Sequence, residues 1–133
     1  MLDGSCHCGN VSWRFDRIPE DATVCNCTVC RRYGVIWAYY DNEGEAIHVC
    51  GPTRAYNRSD DAVLGFHFCS NCGCVAYWRA NLVGDDGRRS IAVNLRLAED
   101  PDAIANVVID HFDGFDTFSD TGTDGRCVKD YWT

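Results

Sequence analysis

Phe68-Cys69-Ser70-Asn71-Cys72-Gly73 reads as a metal knuckle at the tip of a β-hairpin. The two thiols fall on one side of a tight turn. The glycine after them takes the positive φ that lets backbone amides face the sulfurs. Cys6-His7-Cys8-Gly9, some sixty residues upstream, is a tighter version of the same device. Together Cys6, Cys8, Cys69 and Cys72 supply the four thiolates of a closed, tetrahedral, structural zinc site. Such a site pins the N-terminal strand to the middle hairpin, and its binding energy goes into folding. His7 alternates away from both neighbouring cysteines and reads as a surface residue.

A second stretch, Cys25-Asn26-Cys27-Thr28-Val29-Cys30, places three more thiols within six residues. They converge on one ion if the segment forms a turn or the start of a helix. Catalytic zinc commonly keeps three protein ligands and one exchangeable position. Three thiolates make the ion electron-rich, a poor source of hydroxide but a suitable anchor for a substrate thiolate that stays nucleophilic. Arg31-Arg32 follows directly and offers a guanidinium pair to a substrate carboxylate. The competing reading is a second structural site, closed by Cys50, Cys74 or Cys127. Otherwise those three cysteines are small buried hydrophobes. His67, between Phe66 and Phe68, is a candidate general base set against an ordinary exposed strand residue.

The bulk composition narrows the class further. A chain of 133 residues is the size of one domain, 1–133, with a real but modest core. Hydrophobic residues at 46% exclude a disordered chain. A formal charge of −8 argues against nucleic acid and against an anionic membrane surface. The N-terminus has no basic and apolar signal, and no run of about 18 apolar residues exists to span a membrane. The ten cysteines are therefore expected to be reduced in a cytoplasmic protein, where metal ligation is favoured over a disulfide framework.

Along the chain, Val11 to Phe15 alternates apolar and polar, the period of a half-buried strand. Val35 to Tyr40 is a continuous apolar run between glycine and acidic turns and reads as a buried strand. Ala46 to Cys50 and Thr53 to Asn57 are short strands about Gly51-Pro52. Gly65 to Phe68 and Cys74 to Trp78 form the hairpin that carries the knuckle, and Ser90 to Leu95 alternates again. Asp100-Pro101 starts one or two turns of helix, and Val107 to Ile109 is a further strand. From His111 onward the chain reads as irregular, anchored by Phe112, Phe115 and Phe118. The expected class is mainly β.

Three motifs taken together carry a family resemblance. They are Gly4-Ser5-Cys6-His7-Cys8-Gly9-Asn10-Val11, Cys25-Asn26-Cys27-Thr28-Val29-Cys30-Arg31-Arg32, and Phe68-Cys69-Ser70-Asn71-Cys72-Gly73. The set resembles the glutathione-dependent formaldehyde-activating enzyme family, which includes centromere protein V. The resemblance implies a small, zinc-stabilised, β-sandwich-like fold of short antiparallel strands, similar to a Rab-binding zinc protein and to B-type methionine sulfoxide reductases. It implies two zinc ions, one structural on Cys6, Cys8, Cys69 and Cys72, and one catalytic on Cys25, Cys27 and Cys30. The implied activity is that of a carbon–sulfur lyase joining glutathione and formaldehyde as S-hydroxymethylglutathione, with a small-molecule thiol as partner. The alternatives are a non-catalytic zinc-stabilised binding module presenting Trp37 or Tyr39, and a sulfoxide reductase using Cys127.

Overall fold

The computed structural model describes residues 1–132. β1 (Leu2–Ser5) and β2 (Ser12–Phe15) form a first hairpin, followed by β3 (Asp21–Cys25), α1 (Thr28–Tyr33) and β4 (Trp37–Tyr40). Next come β5 (Ile47–Cys50), β6 (Arg54–Tyr56), β7 (Leu64–Phe68), β8 (Val75–Ala80) and β9 (Ile91–Asn94). A 3-10 turn at Leu95–Leu97 and the short α2 (Pro101–Ile104) lead to β10 (Val108–Asp113) and β11 (Ser119–Cys127). The chain is mainly β, as its sequence predicts. The strands make a three-stranded sheet, β1-β2-β5, and an eight-stranded sheet, β11-β10-β3-β4-β9-β8-β7-β6.

Alternation places Trp13 and Phe15 of β2 inward, while Arg14 between them stays exposed. With Val11 and Ile47 they meet Ile91, Val93 and Ile109 of the large sheet in the principal core. Burying side chains of this size contributes roughly 1.5–3 kcal/mol each. The packing leaves no room at Gly4, which pairs with Trp13 across the β1–β2 hairpin. A Cβ there would lie 2.2 Å from the indole ring. Gly4→Ala is expected to cost about 1–3 kcal/mol through this overpacking, read as a lowered thermal midpoint.

A second, smaller core lies on the large sheet and comprises Cys27, Cys30, Val35, Trp37, Phe66, Val75 and Ala92. Strands of that sheet are therefore sandwiched between two apolar layers. In β9, Ile91 and Val93 join the principal core while Ala92 joins the smaller one, so all four residues are buried. The half-buried strand predicted at Ser90 to Leu95 is thus covered on both faces.

Two expectations fail in instructive ways. The strands are not all antiparallel, because β10 runs parallel to β3, with Ile109 opposite Ala22 and Phe112 opposite Cys25. The segment after His111 is not irregular. It continues β10 and returns as β11, an edge strand paired antiparallel with two register shifts. Gly122 and Gly125 lie beside those shifts at φ 87° and 90°, as bulges require. Polar, almost wholly exposed side chains on β11 suit an edge strand but erase the alternation by which a strand is recognised.

Candidate metal centres and the adjoining pocket

Both halves of the first thiol cluster sit in hairpin turns. Cys6 N–H donates to Val11 O and Gly9 N–H to Cys6 O, closing the turn between β1 and β2 with Gly9 at φ 85°. Gly73 N–H donates to Cys69 O in the turn between β7 and β8, with Gly73 at φ 82°. The cluster therefore joins one hairpin from each sheet. Its four sulfurs lie within 4.8 Å of one another, with Cys6 Sγ–Cys8 Sγ and Cys8 Sγ–Cys69 Sγ both at 3.6 Å. A zinc–sulfur distance near 2.3 Å sets the edge of a tetrahedron at about 3.8 Å, so the sulfurs fit such an ion.

Backbone amides reach the sulfurs of this cluster. Val11 N–H donates to Cys6 Sγ at 3.2 Å. The Cys72 thiol is drawn down to about 5, first by the amide of Cys74 and then by that of Cys8. Cys74 lies beside the cluster and outside it, with burial pushing its own thiol up. His7 is exposed, as predicted.

The second cluster is built where β3 hands over to α1. Cys25 ends the strand, Cys27 is the helix N-cap, and Cys30 lies in the first turn. Cys27 Sγ accepts from Cys30 N–H at 3.3 Å, so one ligand candidate also caps the helix. Cys27 N–H donates to Cys25 Sγ at 3.4 Å, and Trp37 Nε1–H donates to the buried Cys30 Sγ at 3.4 Å. The Cys25 thiol is drawn down to about 6, chiefly because it accepts from the Cys30 thiol; the same bond and burial push Cys30 up. All three sulfurs lie within 4.8 Å of one another, and among the described residues no fourth His, Cys, Asp or Glu joins them. The two clusters can thus each hold a metal ion, the first with four donors and the second with three.

The loop between β10 and β11 closes over this second cluster. A Cβ on Gly114 would stand 2.7 Å from Cys27 Cβ and 2.8 Å from Cys25 Sγ. Asn26 holds the loop: its side chain donates to Asp113 at 3.1 Å and accepts from Phe115 N–H at 3.0 Å. Asp113 also accepts from the amides of Asp116 and Thr117, and the latter bond leads in holding its carboxyl well below the usual range. Gly114→Ala should push the loop off the cluster and weaken metal binding there by about 10–100-fold, the usual cost of disturbing groups around ligands. Competition with a chromophoric chelator reads that loss directly. Neither Asn26 nor Gly114 carries a signal in the linear sequence, because the pairing depends on a loop 87 positions away.

A cavity of about 590 Å³ opens on Cys25, Cys27 and Cys30. Its walls include Trp37, Tyr39, Phe66, Trp78, Phe112 and Phe118. Its basic residue is Arg58, which also donates to Thr28 Oγ1 at 3.2 Å. Arg31 and Arg32, predicted to meet a substrate carboxylate, are exposed and do not line this cavity. Successive helical residues turn by about 100°, so a helix that buries Cys30 rotates the next two side chains away.

Other sequence candidates are also displaced. His67 lies on the far face of β7, bonded to Thr53 Oγ1 at 2.9 Å and stacked on Tyr77, and burial lowers its pKa to about 4. Cys50 is exposed, and Cys74 and Cys127 are half-buried, so none of the three is the buried hydrophobe expected. Cys127 pairs with Val108 at one end of β10, whereas Cys25 pairs with Phe112 near the other, which removes Cys127 from the site. Trp37 is 1% exposed and unavailable as a partner surface; Tyr39 is exposed and lies at the cavity.

The class these features define is a mainly β protein with two cysteine clusters able to hold metal ions, the second opening on an apolar cavity. The profile of the glutathione-dependent formaldehyde-activating enzyme family matches residues 1–112, and the chain belongs to that family. Over 87 residues it is 33% identical to a Halomonas elongata protein provisionally named as a glutathione-dependent formaldehyde-activating enzyme. The aligned part is 59% of this chain and 55% of that one, so the chain spans about half of that relative's length. A crystal structure of a Rhodobacter sphaeroides protein matches with a TM-score of 0.57 at 25% identity, covering 73% of this chain and 87% of that one. The family match ends at Phe112, so residues 113–118, which cover the second cluster, lie beyond it.

Proposed function

We propose that the chain, as one domain over residues 1–133, is a zinc-dependent carbon–sulfur lyase acting on a thiol adduct. The observation that carries this reading is the three-thiol cluster, which faces a cavity and has no fourth ligand among the described residues. Zinc held by Cys25, Cys27 and Cys30 would supply an anchor that keeps a substrate thiol ionised and nucleophilic at neutral pH. The other cluster, Cys6, Cys8, Cys69 and Cys72, holds the two hairpins together and takes the structural ion.

The chain's own residues set the geometry of the reaction. Trp37 Nε1–H and the amides of Cys27 and Cys30 orient the three sulfurs, and the missing side chain of Gly114 lets the loop lie close against them. In the forward direction the substrate sulfur attacks the formaldehyde carbon, forming the C–S bond. The carbonyl electron pair moves to oxygen, which takes a proton from water, while the thiol proton has already left to solvent. The product is the hemithioacetal RSCH2OH, and the reverse step breaks the same C–S bond. The family's description supports glutathione as the thiol.

Carbon-13 exchange NMR with labelled formaldehyde and glutathione tests the proposal. The zinc-loaded chain is expected to speed adduct formation and breakdown above the uncatalysed rate, and equal rates with and without it would overturn the reading. Among the described residues no helix is long and apolar enough to cross a membrane.

A further inference from the structure

The cavity over the second cluster is poorly matched to a small, highly charged tripeptide. Six aromatic and four aliphatic residues line it, against one cation, Arg58, and the hydroxyls of Ser59 and Tyr39. No carboxylate is among the lining residues, so nothing there would meet an ammonium group. Glutathione at neutral pH carries two carboxylates and one ammonium. Seated against this lining, two of its three charges would have no charged partner.

Two further observations point to an apolar ligand. Tyr39, Val63 and Phe118 are 46%, 79% and 71% exposed and all stand at the cavity, so its wall presents apolar side chains to water. Phe118 also holds φ 52°, a conformation that is costly for an aromatic residue and persists where the surroundings enforce it. It packs edge-on against Phe112, with ring centroids 5.2 Å apart. Asp113 and Asn26 fix the loop that presents it. That loop follows the residues matched by the family profile, which end at Phe112.

Resting on the lyase reading, we propose that the preferred substrate is the formaldehyde adduct of an aromatic or similarly apolar thiol bearing a single anionic group. Its ring lies among the aromatic walls, its sulfur reaches Cys25, Cys27 and Cys30, and its carboxylate meets Arg58. The bond changes are those given for glutathione, RSH and formaldehyde joining as RSCH2OH with no other reactant.

The test compares glutathione, phenylmethanethiol and 4-(sulfanylmethyl)benzoate on the zinc-loaded full chain. Exchange NMR gives turnover, and tryptophan fluorescence from Trp37 and Trp78 gives binding independent of turnover. Burial of one ring predicts binding of both aromatic thiols at least about thirty-fold tighter than glutathione. Phe118→Ala should lower that preference about ten-fold. Arg58→Ala should weaken the benzoate by about five-fold, more than it weakens phenylmethanethiol. Turnover and binding that favour glutathione would overturn the substrate class and leave the lyase reading standing. Tight binding of the aromatic thiols without turnover of any thiol would overturn the lyase reading and keep the ligand class.

Discussion

Cys72→Ser is expected to unfold the chain. The residue belongs to a cluster whose four sulfurs come from two hairpin turns, one in each sheet. Without it the proposed zinc tie between the β1–β2 turn and the β7–β8 turn is lost. Structural zinc contributes an apparent ~10–16 kcal/mol in small metal-dependent folds, against a typical net stability of about 5–15 kcal/mol. The loss is therefore of the order of the whole stability. Near-ultraviolet circular dichroism should show no cooperative melt, and zinc content should fall. A strong chelator should have the same effect on the unaltered chain. Cys50→Ser is the control: the residue is exposed and in neither cluster, so its cost should stay within about 0.5 kcal/mol.

Cys27→Ser is expected to do the opposite, keeping the fold and abolishing the reaction. Serine is a favoured N-cap, so its hydroxyl can take over the bond from Cys30 N–H that Cys27 Sγ accepts now. The helix α1 and the smaller core should survive. The metal position should not, because two thiols remain where three converged. Adduct exchange should fall by more than the roughly 100-fold that loss of an outer partner can cost, and metal content by one ion per chain. An active variant with unchanged metal content would remove Cys25, Cys27 and Cys30 from the chemistry.

What the sequence made legible is what local spacing encodes. Cys69, Cys72 and Gly73 define a turn by themselves, and Cys6 and Cys8 define another, so the four-thiol cluster follows once their number is matched to a tetrahedral ion. Cys25, Cys27 and Cys30 are legible for the same reason, and of the turn or helix start left open there the structure takes the helix, beginning at Thr28. Strands with one wet face, such as β2, announce themselves by alternation. β11 does not, since its polar side chains are nearly all exposed, and the parallel pairing of β3 with β10 joins segments far apart in the chain.

The same limit explains the site. Arg31 and Arg32 drew notice through adjacency to Cys30, yet helical rotation carries them outward, while Arg58 arrives from the connection between β6 and β7. Gly114 matters because of what a Cβ would strike, which only the fold reveals. Trp37 reads from sequence as an aromatic in a buried run; its indole donation to Cys30 depends on how β4 lies beside α1.

The proposed reaction requires that the three-thiol cluster hold a metal with one position left for a substrate thiol. Cadmium-113 NMR of the cadmium-loaded chain tests it most directly. Two resonances are predicted, one unmoved by added thiol and one shifting as thiol binds, the latter missing in Cys27→Ser. A single resonance, or two that both ignore thiol, would rule out an open metal position at Cys25, Cys27 and Cys30.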